Sequence, residues 1–155
     1  MSANVGCFLD TNVLVYAVSS SPAESAKKER ALELIEHVDF GLSAQVLQEF
    51  FVTVTRKIAK PLTPDAAVAL LDEFRYFPVV ATDYPLIVAG IETSVRFGIS
   101  YWDGAIIAAA ESLGAETLYT EDLSHSQRYG SVQAVNPFGP AAADSVHEST
   151  GTPYG

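Results

Sequence analysis

The chain has 155 residues, of which 48% are hydrophobic, and its 19 acidic and 9 basic side chains give a formal net charge of −10. This length predicts one domain with a single core, while the acidic balance argues against a surface that grips nucleic acid through phosphates alone. The chain has no apolar run near the roughly 20 residues that span a bilayer, its start lacks the features of a secretory signal, and a lone cysteine cannot form an internal disulfide. We therefore expect a soluble, cytoplasmic protein without a membrane partner.

Short apolar segments along the chain are the candidate strands. Residues 5–9, VGCFL, form a continuous apolar run, which is typical of a parallel strand covered on both faces. Further strands are predicted at 40–43, 77–82, 116–120 and 132–135. Helices between consecutive strands imply parallel pairing through right-handed crossovers, so we predict a three-layer α/β domain whose central parallel sheet has four to five strands flanked by helices.

Helix start and stop signals separate these strands. In SPAE, Ser21 as N-cap and Glu24 as the residue that bonds back fit a capping box, with Pro22 at the first helical position. Thr63 followed by Pro64 repeats this start signal. The helices are predicted over about 21–37, 44–57, 63–75, 83–98 and 100–113.

Two acids directly follow predicted strands. Asp10 comes after the first strand, and Asp122 comes after the fourth, in LYTED. Ligands of an open parallel sheet collect beyond the carboxyl ends of its strands, which makes both acids candidate site residues. Each also has a plain structural interpretation, since Asp10 could cap the next helix and Asp122 could stabilise a turn.

Two further acids lie on predicted helices. Asp103 shares the inward stripe of its helix with Ile106 and therefore needs a partner, although Ser100 and Asp103 also fit a capping box. Glu49 lies at the edge of an apolar face, where it could instead be a solvated glutamate paired with Arg56. The sequence leaves both alternatives open.

The conjunction of these four acids predicts a metal site. Carboxylates a few ångström apart repel one another and either take up protons or bind cations. Hard oxygen ligands favour Mg²⁺, with Mn²⁺ as an alternative, and the sequence has no Cys/His cluster of the kind that holds structural zinc. Bound cations would also reverse the local sign of the charge where the phosphates of a substrate approach, in spite of the net charge of −10.

Four segments together resemble the PIN-domain ribonucleases, and among them the VapC-type toxins of prokaryotic toxin–antitoxin pairs. The segments are FLDTNVLVYA, SAQVLQEFFVTVTRK, SYWDGAIIAAA and LYTEDLSHSQ, in that order, and the resemblance covers roughly 7–138. We predict a PIN-like nuclease domain over 1–138, followed by a Gly-, Pro- and Ser-rich tail over 139–155 that is disordered or loosely held. Carried over residue by residue, the family's catalytic and metal-binding acids fall on Asp10, Glu49, Asp103 and Asp122.

The resemblance also implies a function. It implies an Mg²⁺-dependent endoribonuclease, the toxin of a type II pair, in which a metal-activated water hydrolyses RNA phosphodiester bonds. It further implies a homodimer and inhibition by a small cognate VapB-type antitoxin. On this hypothesis Asp10, Glu49 and Asp103 hold the principal ion. Asp122 helps to hold a second ion, with the adjacent Glu121 as a competitor for that role.

Other polar residues near these acids have predicted supporting roles. Thr11 and Thr120, at the same strand ends, could orient water or a carboxylate, whereas Asn12 could cap the helix that follows. Basic residues could bind substrate phosphates, although solvated surface charge is the better interpretation of each of them. The candidates are Arg56, Lys57, Lys60 and Arg128.

Three rival functions remain open. A phosphatase of the haloacid dehalogenase type also has an Asp at the end of its first strand, but it needs a second Asp two residues later, where this chain has Asn12. A receiver-like signalling domain would accept phosphate in an acidic pocket. A PIN-fold module could bind RNA without cutting it, and metal-dependent cleavage would distinguish the nuclease from all three.

Overall fold

The structure, a computed structural model, describes residues 4–139, so the predicted tail lies outside the described residues except for Gly139. The strands are β1 (Cys7–Leu9), β2 (Phe40–Ser43), β3 (Val79–Val80), β4 (Thr117–Tyr119), β5 (Arg128–Tyr129) and β6 (Val132–Val135). The α-helices are α1 (Thr11–Ala17), α2 (Ser25–His37), α3 (Ala44–Val52), α4 (Pro64–Phe74), α5 (Tyr84–Phe97) and α6 (Tyr101–Ser112). A 3₁₀ turn, Pro22–Glu24, precedes α2, and a π-helix, Thr53–Lys57, continues α3.

The strands form a sheet in the order β3-β2-β1-β4-β6-β5. All pairs are parallel except β5 with β6, which confirms the predicted α/β fold with a mainly parallel sheet. Within residues 4–139 the sheet has one strand more than predicted, because β5 forms a short antiparallel arm on β6. Two residues are too few to show either a continuous or an alternating apolar pattern.

The core lies around the central strands, where Phe8, Phe40 and Leu118 are at most 1% exposed. All four residues of β2 are buried, as expected for a strand covered on both faces.

On one side of the core, α5 and α6 pack closely. A Cβ at Gly104 would lie 2.6 Å from the Gly90 carbonyl oxygen, so this approach requires glycine. A membrane span would need a longer or more apolar helix than any found between residues 4 and 139.

Two predicted helix caps are wrong. Ser21 makes no side-chain cap, and the Glu24 carboxylate instead accepts a hydrogen bond from Ser19 Oγ at 2.6 Å. The reason is that Pro22–Glu24 forms a 3₁₀ turn, which separates Ser21 from the start of α2. Asn12 lies inside α1, since the chain becomes helical at once after β1 and Asp10 is the N-cap.

Candidate active site

The strand order reverses at β1. The strands β2 and β3 lie on one side of β1, and β4 lies on the other side. In open α/β sheets, ligands bind at such a point, beyond the carboxyl ends of the strands. A cleft of about 580 Å³ lies at these strand ends. Its polar and charged lining residues are Asp10, Thr11, Asn12, Tyr16, Glu24, Gln48, Glu49, Thr53, Lys57, Glu121 and Asp122.

Asp10 follows β1 and is both a helix cap and a member of the cleft. Its carboxylate accepts hydrogen bonds of 2.7 Å from the Thr11 backbone N–H and from the Thr120 hydroxyl, and 6% of the residue is exposed. Burial raises the pKa of Asp10 from 3.8 to about 6. The two hydrogen bonds lower this pKa, while the charges of Asp122 and Glu49 raise it. Asp10 is therefore both the N-cap of α1 and a residue of the candidate site.

Glu49, on α3, is held in the cleft by neutral donors. Thr11 Oγ1 donates to its carboxylate at 2.8 Å, and Gln45 Nε2 donates at 3.1 Å. Arg56, its alternative partner, forms none of the ion pairs found within residues 4–139. The helix changes to π winding at Thr53, before it reaches Arg56, and Arg56 does not line the cleft in which Glu49 lies.

Asp122 follows β4 and lines the same cleft. Its Oδ2 lies 3.5 Å from Asn12 Nδ2, and its backbone N–H donates to Thr120 Oγ1 at 3.0 Å. Desolvation raises the pKa of Asp122, and the charges of nearby carboxylates, of which Asp103 is the strongest, raise it further. Asp122 is thus close enough to the other acids to be affected by their charges.

Asp103 lies near the cleft but does not line it. Its backbone N–H donates to Ser100 Oγ at 3.0 Å, which is one half of the predicted capping box. Its carboxylate accepts none of the side-chain hydrogen bonds found among the described residues, but its charge acts on Asp122. The structure therefore brings Asp10, Glu49 and Asp122 into one cleft and puts Asp103 at the margin.

Glu121, the competing acid, also lines the cleft, but its charge is paired within a group of side chains around Lys27. Lys27 Nζ lies 2.7 Å from Glu121 Oε2, and the Tyr16 hydroxyl donates to Glu121 Oε1 at 2.9 Å. Lys27 lies 4.7 Å from the centre of the Tyr16 ring, which packs edge to face on Phe138. We call these four residues the Lys27 cluster. Its ammonium balances Glu121, whereas no cation of the described residues pairs with Asp122.

Sequence reasoning predicted that the Thr11 and Thr120 hydroxyls could orient a carboxylate, as they do, but it missed Gln45 and Lys27 as partners of these acids. Gln45 precedes Glu49 by one helical turn, a spacing that indicates contact and could have been used. Lys27 and Glu121 are 94 positions apart, so a single sequence contains no local signal of their pairing.

The oxygen donors of the cleft fit a hard divalent cation. Asp10, Glu49 and Asp122 offer carboxylate oxygens, and within the described structure Asn12 Oδ1 is a buried acceptor without a hydrogen-bond partner. In residues 4–139, no group of three or more His, Cys, Asp or Glu side chains is arranged so that it could hold a metal ion by itself. Mg²⁺ does not need such a group, because it usually keeps several waters and binds through one or two carboxylates.

Comparisons with known proteins identify the family and the fold. The sequence model of the PIN domain matches residues 7–130. No curated protein sequence matches the chain significantly. Three solved structures share the fold at identities below 25%. VapC20 of Mycobacterium tuberculosis, described as a toxin that cleaves the sarcin–ricin loop, is 22% identical over 76% of this chain and 90% of that chain, with a TM-score of 0.60.

The second structure is a toxin–antitoxin complex from Klebsiella pneumoniae, 15% identical over 86% of this chain and 98% of that chain, with a TM-score of 0.65. The third is DNA-bound VapBC from Salmonella typhimurium, 18% identical over 84% and 96%, with a TM-score of 0.57. Because the PIN domain match covers well over half of the sequence, the chain belongs to the PIN-domain family.

Proposed function

We propose that this protein is an endoribonuclease dependent on Mg²⁺ or Mn²⁺, and that it is the toxin of a type II toxin–antitoxin pair. The observation that carries the proposal is the buried carboxylate of Asp10, with a pKa raised to about 6, in one cleft with Glu49 and Asp122. Acids with perturbed pKa values in a cleft are typical of functional sites. The likeness to a toxin described as cleaving the sarcin–ricin loop supports RNA as the substrate class.

The ion would be held by Asp10, Glu49 and Asp122, directly or through water, with Asp103 acting from the margin. When bound, it would supply positive charge at the phosphodiester group and lower the pKa of a water molecule. The Asn12 amide nitrogen lies 3.5 Å from Asp122 Oδ2, and the amide oxygen of the same side chain is buried without a hydrogen-bond partner among the described residues.

The chain's own contribution is to fix the acids without cancelling their charge. Thr120 donates to Asp10, and Thr11 donates to Glu49, each through a neutral hydroxyl. An Arg or Lys in either position would have formed an ion pair and compensated the carboxylate. Neutral donors hold the oxygens in place and leave their negative charge available to a cation.

The proposal includes a homodimer. Helix α5 has four exposed apolar or aromatic residues, and the exposed fractions are 77% for Tyr84, 37% for Ile87, 47% for Ile91 and 77% for Val95. Their spacing of three and four residues puts them on one face of the helix. A contiguous exposed apolar face is typical of a protein interface. Sedimentation should give a dimer for the wild type and a monomer for Val95→Glu; a wild type that stays monomeric at high concentration would contradict this part of the proposal.

The second proposed partner is a small VapB-type antitoxin, which the likeness to solved toxin–antitoxin complexes supports. A cleft with uncompensated acids favours an Arg or Lys of the antitoxin as the inhibiting group. An antitoxin peptide without such residues should still bind but fail to inhibit. Full inhibition by that peptide would contradict inhibition through an Arg or Lys of the antitoxin.

Cleavage of a structured RNA pool tests the proposed activity. The wild type should produce fragments with 5′-phosphates in Mg²⁺ or Mn²⁺ and none with chelator, and Asp10→Asn should abolish the fragments while the protein remains folded. Glu29→Gln is the matched control, since it removes one negative charge from an exposed position on α2, outside the cleft. Cleavage that persists in chelator or in Asp10→Asn would refute the proposal. RNA binding without any product would favour the non-catalytic PIN module.

A further inference from the structure

The π-helix Thr53–Lys57 continues α3 along the wall of the cleft, and its winding decides which cation faces the acids. Lys57 lines the cleft, and its neighbour Arg56 does not. Short π-helices are rare and are frequently found at functional sites. We propose that this winding directs Lys57 to bind a backbone phosphate of the RNA beside the bond that is cut, and that Arg56 takes no part. The inference rests on the proposed ribonuclease function and identifies a residue that binds its substrate.

The direction of Lys57 follows from the geometry of the two helix types. An α-helix turns by about 100° per residue, whereas a π-helix turns by roughly 82°. Over the four steps from Thr53 to Lys57, the difference adds up to about 70°, which brings Lys57 nearly in line with Glu49. In an unbroken α-helix, Arg56 would be in line with Glu49 and Lys57 would point about 80° away.

Contacts with the rest of the fold hold this winding. The Thr55 hydroxyl donates to the Phe51 carbonyl oxygen at 2.7 Å, a bond that often bends a helix. Val54 is fully buried, and its carbonyl oxygen accepts a hydrogen bond from the Leu62 backbone N–H at 2.8 Å. The direction of Lys57 is therefore set by core packing and by the chain that follows the helix.

The charge of Lys57 is available to a ligand. Of the residues that line the cleft in the described part of the chain, Lys57 is the one Lys or Arg, and it forms none of the ion pairs found there. The other lysine near these acids, Lys27, is already paired with Glu121. Thr53 lies on the same wall and adds a hydroxyl donor. An RNA strand in the cleft would thus meet a cation and a neutral donor beside the acids, as binding of a phosphate requires.

RNA binding in an Asp10→Asn background tests the inference, because the RNA then stays intact in Mg²⁺. Fluorescence anisotropy with a labelled single-stranded RNA should show that adding Lys57→Gln weakens binding about fivefold and makes the log–log salt dependence less steep by about 0.7. Arg56→Gln removes the same charge one residue away and should change the affinity by less than about twofold. Lys57→Arg should restore the affinity. All three substitutions are at exposed positions, so they should leave the temperature of thermal unfolding unchanged.

A neutral methylphosphonate, placed at each linkage of the RNA in turn, identifies the phosphate. At the contacted linkage it should weaken binding by Asp10→Asn but have no further effect on the Lys57→Gln protein. Equal losses from Lys57→Gln and Arg56→Gln, or no RNA binding at all, would overturn the inference.

Cleavage by the wild type decides the proposed function separately. Cleavage with a KM that Lys57→Gln leaves unchanged would refute the phosphate contact alone. RNA that is bound through Lys57 but never cut would refute the nuclease and leave the contact standing.

Discussion

Two neighbouring acids after β4 differ in how their charge is balanced. Glu121 belongs to the Lys27 cluster, where an ammonium at 2.7 Å and a tyrosine hydroxyl at 2.9 Å hold its carboxylate. Asp122 lines the cleft with Asp10 and Glu49, and its pKa is raised by desolvation and by nearby carboxylates. The difference teaches that adjacent acids can have opposite roles. A balanced carboxylate stabilises the fold, whereas an unbalanced one destabilises it and is available to a ligand.

Replacing each acid by its amide should separate the two roles most clearly. Asp122→Asn is expected to lower kcat/KM for RNA cleavage at least about 100-fold, because chemistry at a metal site depends on ligand charge. Glu121→Gln should stay within about threefold of the wild type, since its charge is paired with Lys27 at a partly exposed position. Cleavage rates at saturating Mg²⁺ measure both. A folded Glu121→Gln protein as impaired as Asp122→Asn would reverse the assignment.

Asp10 shows how strongly an unbalanced acid can destabilise the fold. Its pKa in the folded protein, about 6, lies above its ordinary value of 3.8, so the folded state binds the proton more tightly than the unfolded state does. The resulting stabilisation is complete below pH 3.8 and is lost as the pH rises through about 6, and the difference corresponds to about 3 kcal/mol.

Asp10→Asn should therefore have the higher free energy of unfolding near pH 8 in chelator, by up to ~3 kcal/mol, and this advantage should disappear below about pH 4. Urea unfolding of both proteins at the two pH values measures the change. A difference that stayed constant with pH would contradict the raised pKa of Asp10.

Thr120 connects two of the acids that line the cleft through one fully buried hydroxyl, which donates to Asp10 at 2.7 Å and accepts from the Asp122 backbone N–H at 3.0 Å. Thr120→Val should lower the free energy of unfolding by ~1–2 kcal/mol. It should also raise the pKa of Asp10 further, because the hydrogen bond from Thr120 keeps that pKa down. NMR titration of the Asp10 carboxyl carbon in chelator measures this shift.

Thr117→Val is the control for this substitution. Thr117 is the first residue of β4, the strand that Thr120 follows, and its hydroxyl makes none of the side-chain hydrogen bonds found between residues 4 and 139. An Asp10 titration that Thr120→Val and Thr117→Val left equally unchanged would show that the hydroxyl does not control the acid.

Elements with a strong local signal could be predicted from the sequence. β6 lies at the predicted 132–135, and Thr63 caps α4 by accepting a hydrogen bond from the Ala66 N–H at 3.2 Å. The π-helix Thr53–Lys57 could not be predicted, because its residues continue the apolar spacing of α3. Its winding depends on contacts outside the helix, such as that of the Val54 carbonyl oxygen with the chain that follows.

The same distinction applies to the candidate site. Asp10 and Asp122 could be predicted as candidate site residues, because an acid that directly follows a strand is a local sequence pattern. Their donors were harder to assign, since the contact of Thr120 with Asp10 joins positions 110 apart. Nothing in the local sequence distinguishes Glu121 from Asp122. The distinction arises only when the fold brings Lys27, on α2, to Glu121 in the segment that follows β4.

Removing the ammonium of the Lys27 cluster is expected to have the smallest effect, because it changes only the ion pair of Glu121. Lys27→Met keeps an unbranched side chain against Tyr16 but leaves Glu121 unpaired, and it should lower the free energy of unfolding by ~1 kcal/mol. The effect is small because the two side chains are 40% and 23% exposed, and it should shrink further in about 1 M salt.

Lys28→Met is the matched control on the same helix, since Lys28 forms none of the ion pairs found within residues 4–139. Urea unfolding at low and high salt should separate Lys27→Met from this control, while kcat stays within about threefold of the wild type in both proteins. Loss of cleavage by Lys27→Met with unchanged unfolding would mean that the ammonium serves the cleft. Glu121, which lines the same cleft as Asp122, would then take part in the chemistry of the site, and the balance of charge between the two acids would matter for cleavage.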